Sequence, residues 1–148
     1  MQDESTSNLR NILNQTSLSE LDHYLEQHAN IPSAYDLFNL HMKTYPISIG
    51  QIVKNCEGYI SRSYVYDILN GQKTSPSRDI VIMICLAANM NLKQVRRLLE
   101  TYHHRELYPK DDRDAVIAAC FNSKQYNICK VNMLLSSYNL PLLSTKEQ

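Results

Sequence analysis

The chain has no tryptophan, only three glycines and five prolines, and no net charge at pH 7. So little glycine argues against a disordered chain. With 43% hydrophobic residues among 148, a packed, helix-rich core is expected rather than disorder. Long apolar runs are also missing. The longest, Ile80 to Ala88, is bounded by Asp79 and Asn89 and falls short of the roughly 20 residues a membrane span needs. No membrane partner is expected. Met1-Gln2-Asp3-Glu4-Ser5 lacks the basic and apolar regions of a signal peptide, and a cytoplasmic location follows as the expectation.

Cysteine spacing excludes more. Cys56, Cys85, Cys120 and Cys129 form no CxxC pair, so they read as reduced core thiols. The adjacent His103-His104 offers no i, i+4 pair for zinc. There is no nucleophile elbow, no phosphate-cradling glycine loop and no HExxH. Neither an enzyme nor a bound cofactor or metal is expected. Asp111, Asp112 and Asp114 read as negative charge at a helix N-terminus.

The neutral total argues against a strongly basic nucleic-acid binder, yet the charge is unevenly spread. Residues 1–50 hold six acids (Asp3, Glu4, Glu20, Asp22, Glu26, Asp36) against Arg10 and Lys43. The remainder is therefore basic, and a neutral chain hides a basic face beside an acidic arm.

What is present is a succession of helix signals. Residues 1–16 form a polar lead-in. Ser17-Leu18-Ser19-Glu20 has the pattern of a capping box, followed by a Leu18, Leu21, Leu25, His28 stripe that stops at Asn30 and Pro32. This acidic helix either packs on the surface or serves as an arm for a partner or a second copy. Ser33 opens the next helix, with Leu37, Leu40 and Phe38 inward and Tyr45-Pro46 as its stop. Ser48 caps a short helix to about Cys56, closed by Gly58.

The stretch from Ser61 to Ser77 organises the rest. Ser61 caps a helix whose Val65, Ile68 and Leu69 share one face. Asn70-Gly71 stops it, and Ser75-Pro76 restarts the chain with serine at the cap and proline at the first turn. Asp79 to Ala88 is rich in β-branched residues, but it follows a helix start and has no strand to pair with, so a helix is expected. Asn91-Leu92-Lys93-Gln94 is another capping box, with Val95, Leu98, Leu99 and Tyr102 on one face.

Part of this pattern recurs. Asp79-Ile-Val-Ile-Met-Ile-Cys85 returns as Asp114-Ala-Val-Ile-Ala-Ala-Cys120, 35 residues on. Asn91-Leu-x-x-Val95-x-x-Leu98-Leu99-x-x-Tyr102 returns as Asn127-Ile-x-x-Val131-x-x-Leu134-Leu135-x-x-Tyr138, 36 residues on. A repeated helix pair would stack on the first along an apolar seam, with Leu98 and Leu134 at equivalent buried positions; two similarly capped helices can also arise independently. Tyr108-Pro109-Lys110-Asp111-Asp112 connects the copies. Asn139-Leu140-Pro141 ends the second, and Ser144 to Gln148 is a polar tail.

A short capped helix, a loop carrying Lys73 and then a buried helix resemble the phage-repressor and Cro-like, or xenobiotic-response-element type, helix-turn-helix family. The likeness covers about residues 33–102 and extends toward bacterial members with a helical C-terminal extension. It implies an all-α fold with three segments: an acidic N-terminal segment over 1–32, a five-helix DNA-binding domain over 33–102, and a helical extension over 103–148. It also implies a sequence-specific regulator of transcription that binds double-stranded DNA as a homodimer.

Carried over by position, the resemblance puts Gln51 near the start of the positioning helix and Ser61, Arg62 and Ser63 at the groove-facing start of the recognition helix. Arg62 is the expected base reader, since a guanidinium grips guanine through two bonds. Tyr64 is expected on the exposed part, against phosphate or a thymine methyl; for Tyr66 the pattern allows that face or packing under the positioning helix. Asp67 falls at a third groove-facing position, where it repels phosphate and accepts only from a cytosine amino group. Lys73, Thr74 and Arg78 suit phosphate contacts. Against the family spacing, the turn through Glu57-Gly58-Tyr59 is about one residue longer. The competing expectation is a protein-interaction adaptor that keeps the fold, with partners on the N-terminal helix or the C-terminal helical pair.

Overall fold

The computed structural model describes Arg10, residues 17–28 and residues 31–145, less the side chains of residues 19, 24 and 26–28. The rest of the lead-in, the stop at Asn30 and the last three residues lie outside them. Among the described residues there are eight α-helices and no strand, so the fold is all-α. The chain divides into two compact units, residues 1–33 and 34–148.

In the first unit a single 3-10 turn, Leu18–Glu20, leads into α1, Leu21–His28. Ser17 makes no side-chain cap bond, so the expected capping box does not form there. A backbone bond of 3.0 Å from the Glu20 N–H to the Ser17 carbonyl closes the turn instead. Leu18 and Leu25 are exposed.

The second unit holds the core. Its helices are α2 (Ala34–Thr44), α3 (Ile49–Asn55), α4 (Arg62–Leu69), α5 (Arg78–Ala87), α6 (Leu92–Thr101), α7 (Asp112–Asn122) and α8 (Ile128–Ser137). The stretch with strand-like composition is α5, and every residue from Ile80 to Ala88 is buried. A helix that is apolar all round belongs at the centre of a core, and α5 packs on α3, α6 and α8. Its start lies two residues later than expected. Ser77, not Ser75, is the cap, accepting from the Ile80 N–H, while Pro76 stays in the loop with its carbonyl taken by His104 Nε2 at 2.7 Å.

The inward face of α2 also differs from the leucine pattern. Phe38 and His41 are buried, Leu37 is half-buried, and Leu40 is 54% exposed. His41 replaces a leucine in the core because both ring nitrogens are satisfied. Nε2 lies 2.6 Å from the Ala88 carbonyl and Nδ1 lies 2.9 Å from Gln94 Nε2. The predicted capping box of α6 forms in full, and it holds that glutamine: Gln94 Oε1 accepts from the Asn91 N–H at 2.9 Å. With Oε1 so engaged, the amide donates to Nδ1, and His41 must carry its proton on Nε2.

The two helix pairs α5–α6 and α7–α8 repeat each other in detail. Each pair turns through a left-handed residue, Asn89 (φ 59°) and Lys124 (φ 57°), and each ends on another, His103 (φ 63°) and Asn139 (φ 58°). The closing bonds match: Met90 N–H to Cys85 O and Gln125 N–H to Cys120 O, then His104 N–H to Leu99 O and Leu140 N–H to Leu135 O. Val95 and Val131 are both fully buried, as are Leu99 and Leu135. Leu98 and Leu134 are not alike, at 1% and 40% exposure. Part of the reason is α2, which lies against α6.

Nor do the copies stack as successive turns of a solenoid. The contacts α6 with α7 and α5 with α8 are reciprocal, so the relation is of the two-fold kind.

Candidate nucleic-acid interface

Two short capped helices build the candidate surface. The Ser48 Oγ accepts from the Gln51 N–H at 3.1 Å and starts α3; the Ser61 Oγ accepts from the Tyr64 N–H at 3.3 Å and starts α4. Each serine satisfies a donor that a helix start leaves open. Between them the chain reverses through Gly58 at φ 88°, a region glycine enters without a Cβ clash. Ile52 and Val53 of α3 and Val65, Ile68 and Leu69 of α4 are buried. That burial fixes which residues point outward.

The outward set of α4 is Arg62, Ser63 and Tyr66, with Gln51 and Lys54 exposed on α3. Arg62 borders a groove of about 330 Å³ together with Gly50, Val53, Lys54 and Glu57. Among the described residues neither Arg62 nor Lys54 has an ion-pair partner. Tyr64 departs from its expected exposure, and Tyr66 takes the outward one of its two allowed placements. Tyr64 is half-buried and packs against the core, whereas Tyr66 is 40% exposed. Tyr64 sits one residue before buried Val65, close to the inward stripe, while Tyr66 follows Arg62 by four and shares its outward side.

The loop after α4 is tightly made. The Asn70 Oδ1 accepts from the Gln72 N–H at 3.0 Å, and Gly71 (φ 84°) lies under the Tyr35 side chain, which a Cβ there would meet at 3.6 Å. The Lys73 N–H donates to the Asp67 carbonyl at 2.9 Å. Lys73 and Thr74 are exposed, and Asp67 is half-buried.

Arg78 does not belong to this surface. Its Nη1 and Nη2 donate to the two carboxylate oxygens of Asp114 at 3.0 and 2.9 Å, and its Nε and Nη2 also donate to the carbonyls of Arg105 and Glu106. A side chain that spends four of its five donors within the fold and is only 19% exposed is not placed to grip phosphate. Its place as a phosphate contact is corrected: it joins the two helix pairs. Arg113 does the same in mirror fashion, donating to both oxygens of Asp79 and to the carbonyls of Pro141 and Leu142.

Asp114 accordingly reads as more than helix-start charge. Burial opposes its ionisation and is the largest single influence; bonds from Arg78 and the Tyr108 N–H, with the charges of Arg78 and Arg105, outweigh it and hold the carboxyl below its usual range. Ser144, expected at the start of a polar tail, donates its N–H to Asp79 Oδ2 at 3.1 Å. Residue Lys54 was not among the expected contacts. It follows Gln51 by three on the exposed side of α3, a helical spacing that marks a shared face.

The thiols are poor nucleophiles where they are buried: burial pushes Cys56 up to about 12 and Cys85 higher still. Cys129 is exposed and is not a core thiol. Among the described residues no group of His, Cys, Asp or Glu is arranged to hold a metal, and no helix is long and apolar enough to cross a membrane. The chain matches no family model, no curated protein and no solved structure.

Proposed function

We propose that the chain is a sequence-specific DNA-binding regulator of transcription that acts as a homodimer and uses α3 and α4 as a helix-turn-helix. The observation that carries this reading is Arg62: exposed, without an ion-pair partner among the described residues, and at the first position of a capped helix whose outward side is polar. A side chain there projects ahead of the helix N-terminus, where groove-reading residues of such helices sit. Lys54 across the groove and Lys73 in the following loop supply backbone contacts on either side. Half-burial of Asp67 draws a repulsive carboxylate partly back from this side.

The second reading, an adaptor for another protein, has its own support. Met133 and Leu134 of α8, with Tyr138 at its C-cap, are exposed apolar side chains, at 66%, 40% and 62%. Selection of duplexes from a random pool, followed by anisotropy measurements on the selected and a scrambled sequence, separates the two. The regulator reading requires preference for the selected duplex with two chains per site. Absence of binding to either duplex at low salt favours the adaptor.

A further inference from the structure

The reciprocal relation between the helix pairs has an internal contrast. Between α6 and α7 lies a cavity of about 340 Å³, walled by Leu92 and Arg96 on one side, by Ala115, Ala118 and Ala119 on the other, and by Leu107 of the connector. The equivalent positions of the other copy are Ile128, Asn132, Ile80, Met83, Ile84 and Leu143, from the offsets of 35 and 36 residues. There the space is filled. Ile80, Met83, Ile84, Ile128 and Leu143 are all buried in one core cluster. The Asn132 Oδ1 accepts from the Leu143 N–H at 2.9 Å and fixes it in place.

In the first copy alanine stands at the three positions where the other has Ile80, Met83 and Ile84, and Leu107 is half-buried. Arg96 stands where Asn132 holds Leu143. Its Nε lies 3.2 Å from the Glu106 carboxylate in a pair at 62% and 50% exposure. A pair so exposed contributes little and yields readily to another carboxylate, while both Nη groups of the guanidinium remain to donate. Asp114, also on the wall, already accepts from Arg78, Arg105 and the Tyr108 N–H, so it asks for no ligand donor.

We propose that this cavity binds a small amphipathic carboxylate, its apolar body against Leu92, Leu107 and the three alanines, its carboxylate on Arg96. At about 30 Å³ per water-sized atom the space takes on the order of ten heavy atoms. That is the size of a medium-chain or compact aromatic acid, and the volume lies at the small end of known ligand pockets. The site stands apart from α3 and α4, and the inference does not depend on whether those helices meet DNA.

Octanoate is the probe, with 1-octanol as its uncharged counterpart, titrated into the full chain by calorimetry and by methyl-resolved NMR. The expected result is saturable octanoate binding that shifts the methyl signals of Leu92, Leu107 and the alanines. Ala118→Met with Ala119→Ile, which restores the side chains of the filled copy, should weaken octanoate at least tenfold while raising the melting temperature. Should that double variant not fold, Ala119→Ile alone narrows the open wall and should weaken binding in the same direction. Arg96→Met should cost octanoate about tenfold and leave octanol unchanged. No octanoate binding to its solubility limit, or equal binding by the filled variants, overturns the site; equal octanoate affinity in Arg96→Met overturns the carboxylate assignment.

Discussion

Arg78 and Asp114 meet through two parallel bonds of 3.0 and 2.9 Å, and Arg113 and Asp79 meet through two more at the same distances. Each arginine lies in the first turn of a helix, each aspartate follows the arginine of its own copy, and each pair crosses to the other copy. Fork-to-fork pairing fixes direction as well as distance. With the apolar side chains of residues 117–143 that join the same core cluster, it links the second helix pair to the first within the compact unit over 34–148.

Removing one partner should therefore be costly. Asp114→Ala leaves Arg78 facing a buried gap and strands the Tyr108 N–H, and should lose about 3 kcal/mol. Arg78→Met should lose less, because a flexible apolar side chain fills part of the space. The double variant should lose clearly less than the sum of the two, by at least about 1 kcal/mol. Urea unfolding of the four proteins measures this coupling; strict additivity would mean that the pair is not energetically linked.

Acid should act on the same contact. The folded pKa of Asp114 lies below its unfolded value of about 3.9. The native state therefore gains from the ionised carboxylate above that value and loses the gain as pH falls through the lower, folded one. Stability should change little between pH 7 and about 5 on account of this group and fall more steeply below about 4. Asp114→Asn should start lower and show a shallower acid limb. An unchanged limb in that variant would place the acid sensitivity elsewhere.

His41 gives a prediction that spectroscopy reads directly. The capping box of α6 orients the Gln94 amide, and the amide in turn assigns the His41 proton to Nε2. Long-range proton–nitrogen spectra should show the Nε2–H tautomer. Asn91→Ala should cost about 1–2 kcal/mol through the lost cap and let the Gln94 amide turn. A dominant Nδ1–H form in the wild type would contradict the hydrogen-bond chain.

Local chemistry was the legible part of this fold. Asn91 with Gln94, and Ser61 before Arg62, declared their helix starts because a cap bond involves only residues three apart. The helical nature of 79–88 was legible for the same reason, through the helix signals around it. The fate of Arg78 was not, because its partner lies in the other copy; yet reading the repeat one residue earlier, as Arg78-Asp79 and Arg113-Asp114, would have exposed the paired charges. Leu134 failed differently. Its spacing marks an apolar face, but spacing carries no word on whether another helix covers it, as α2 lies over α6. Tyr64 was misplaced and Tyr66 left open because both border the buried stripe of Val65, Ile68 and Leu69, and packing, not periodicity, decides which one turns in.

The most direct measurement for the proposed function is a salt titration of the wild type, Arg62→Ala and Lys73→Ala against a selected duplex and a scrambled one. Phosphate contacts release counterions, so wild-type affinity should fall linearly on logarithmic axes as salt rises. Lys73→Ala should weaken both duplexes alike and reduce that slope by about one. Arg62→Ala should cost about 1–3 kcal/mol on the selected duplex and relax preference at one base position. Equal losses on both duplexes would remove Arg62 from base reading. Wild-type protein that binds neither duplex at low salt would contradict the DNA-binding account altogether.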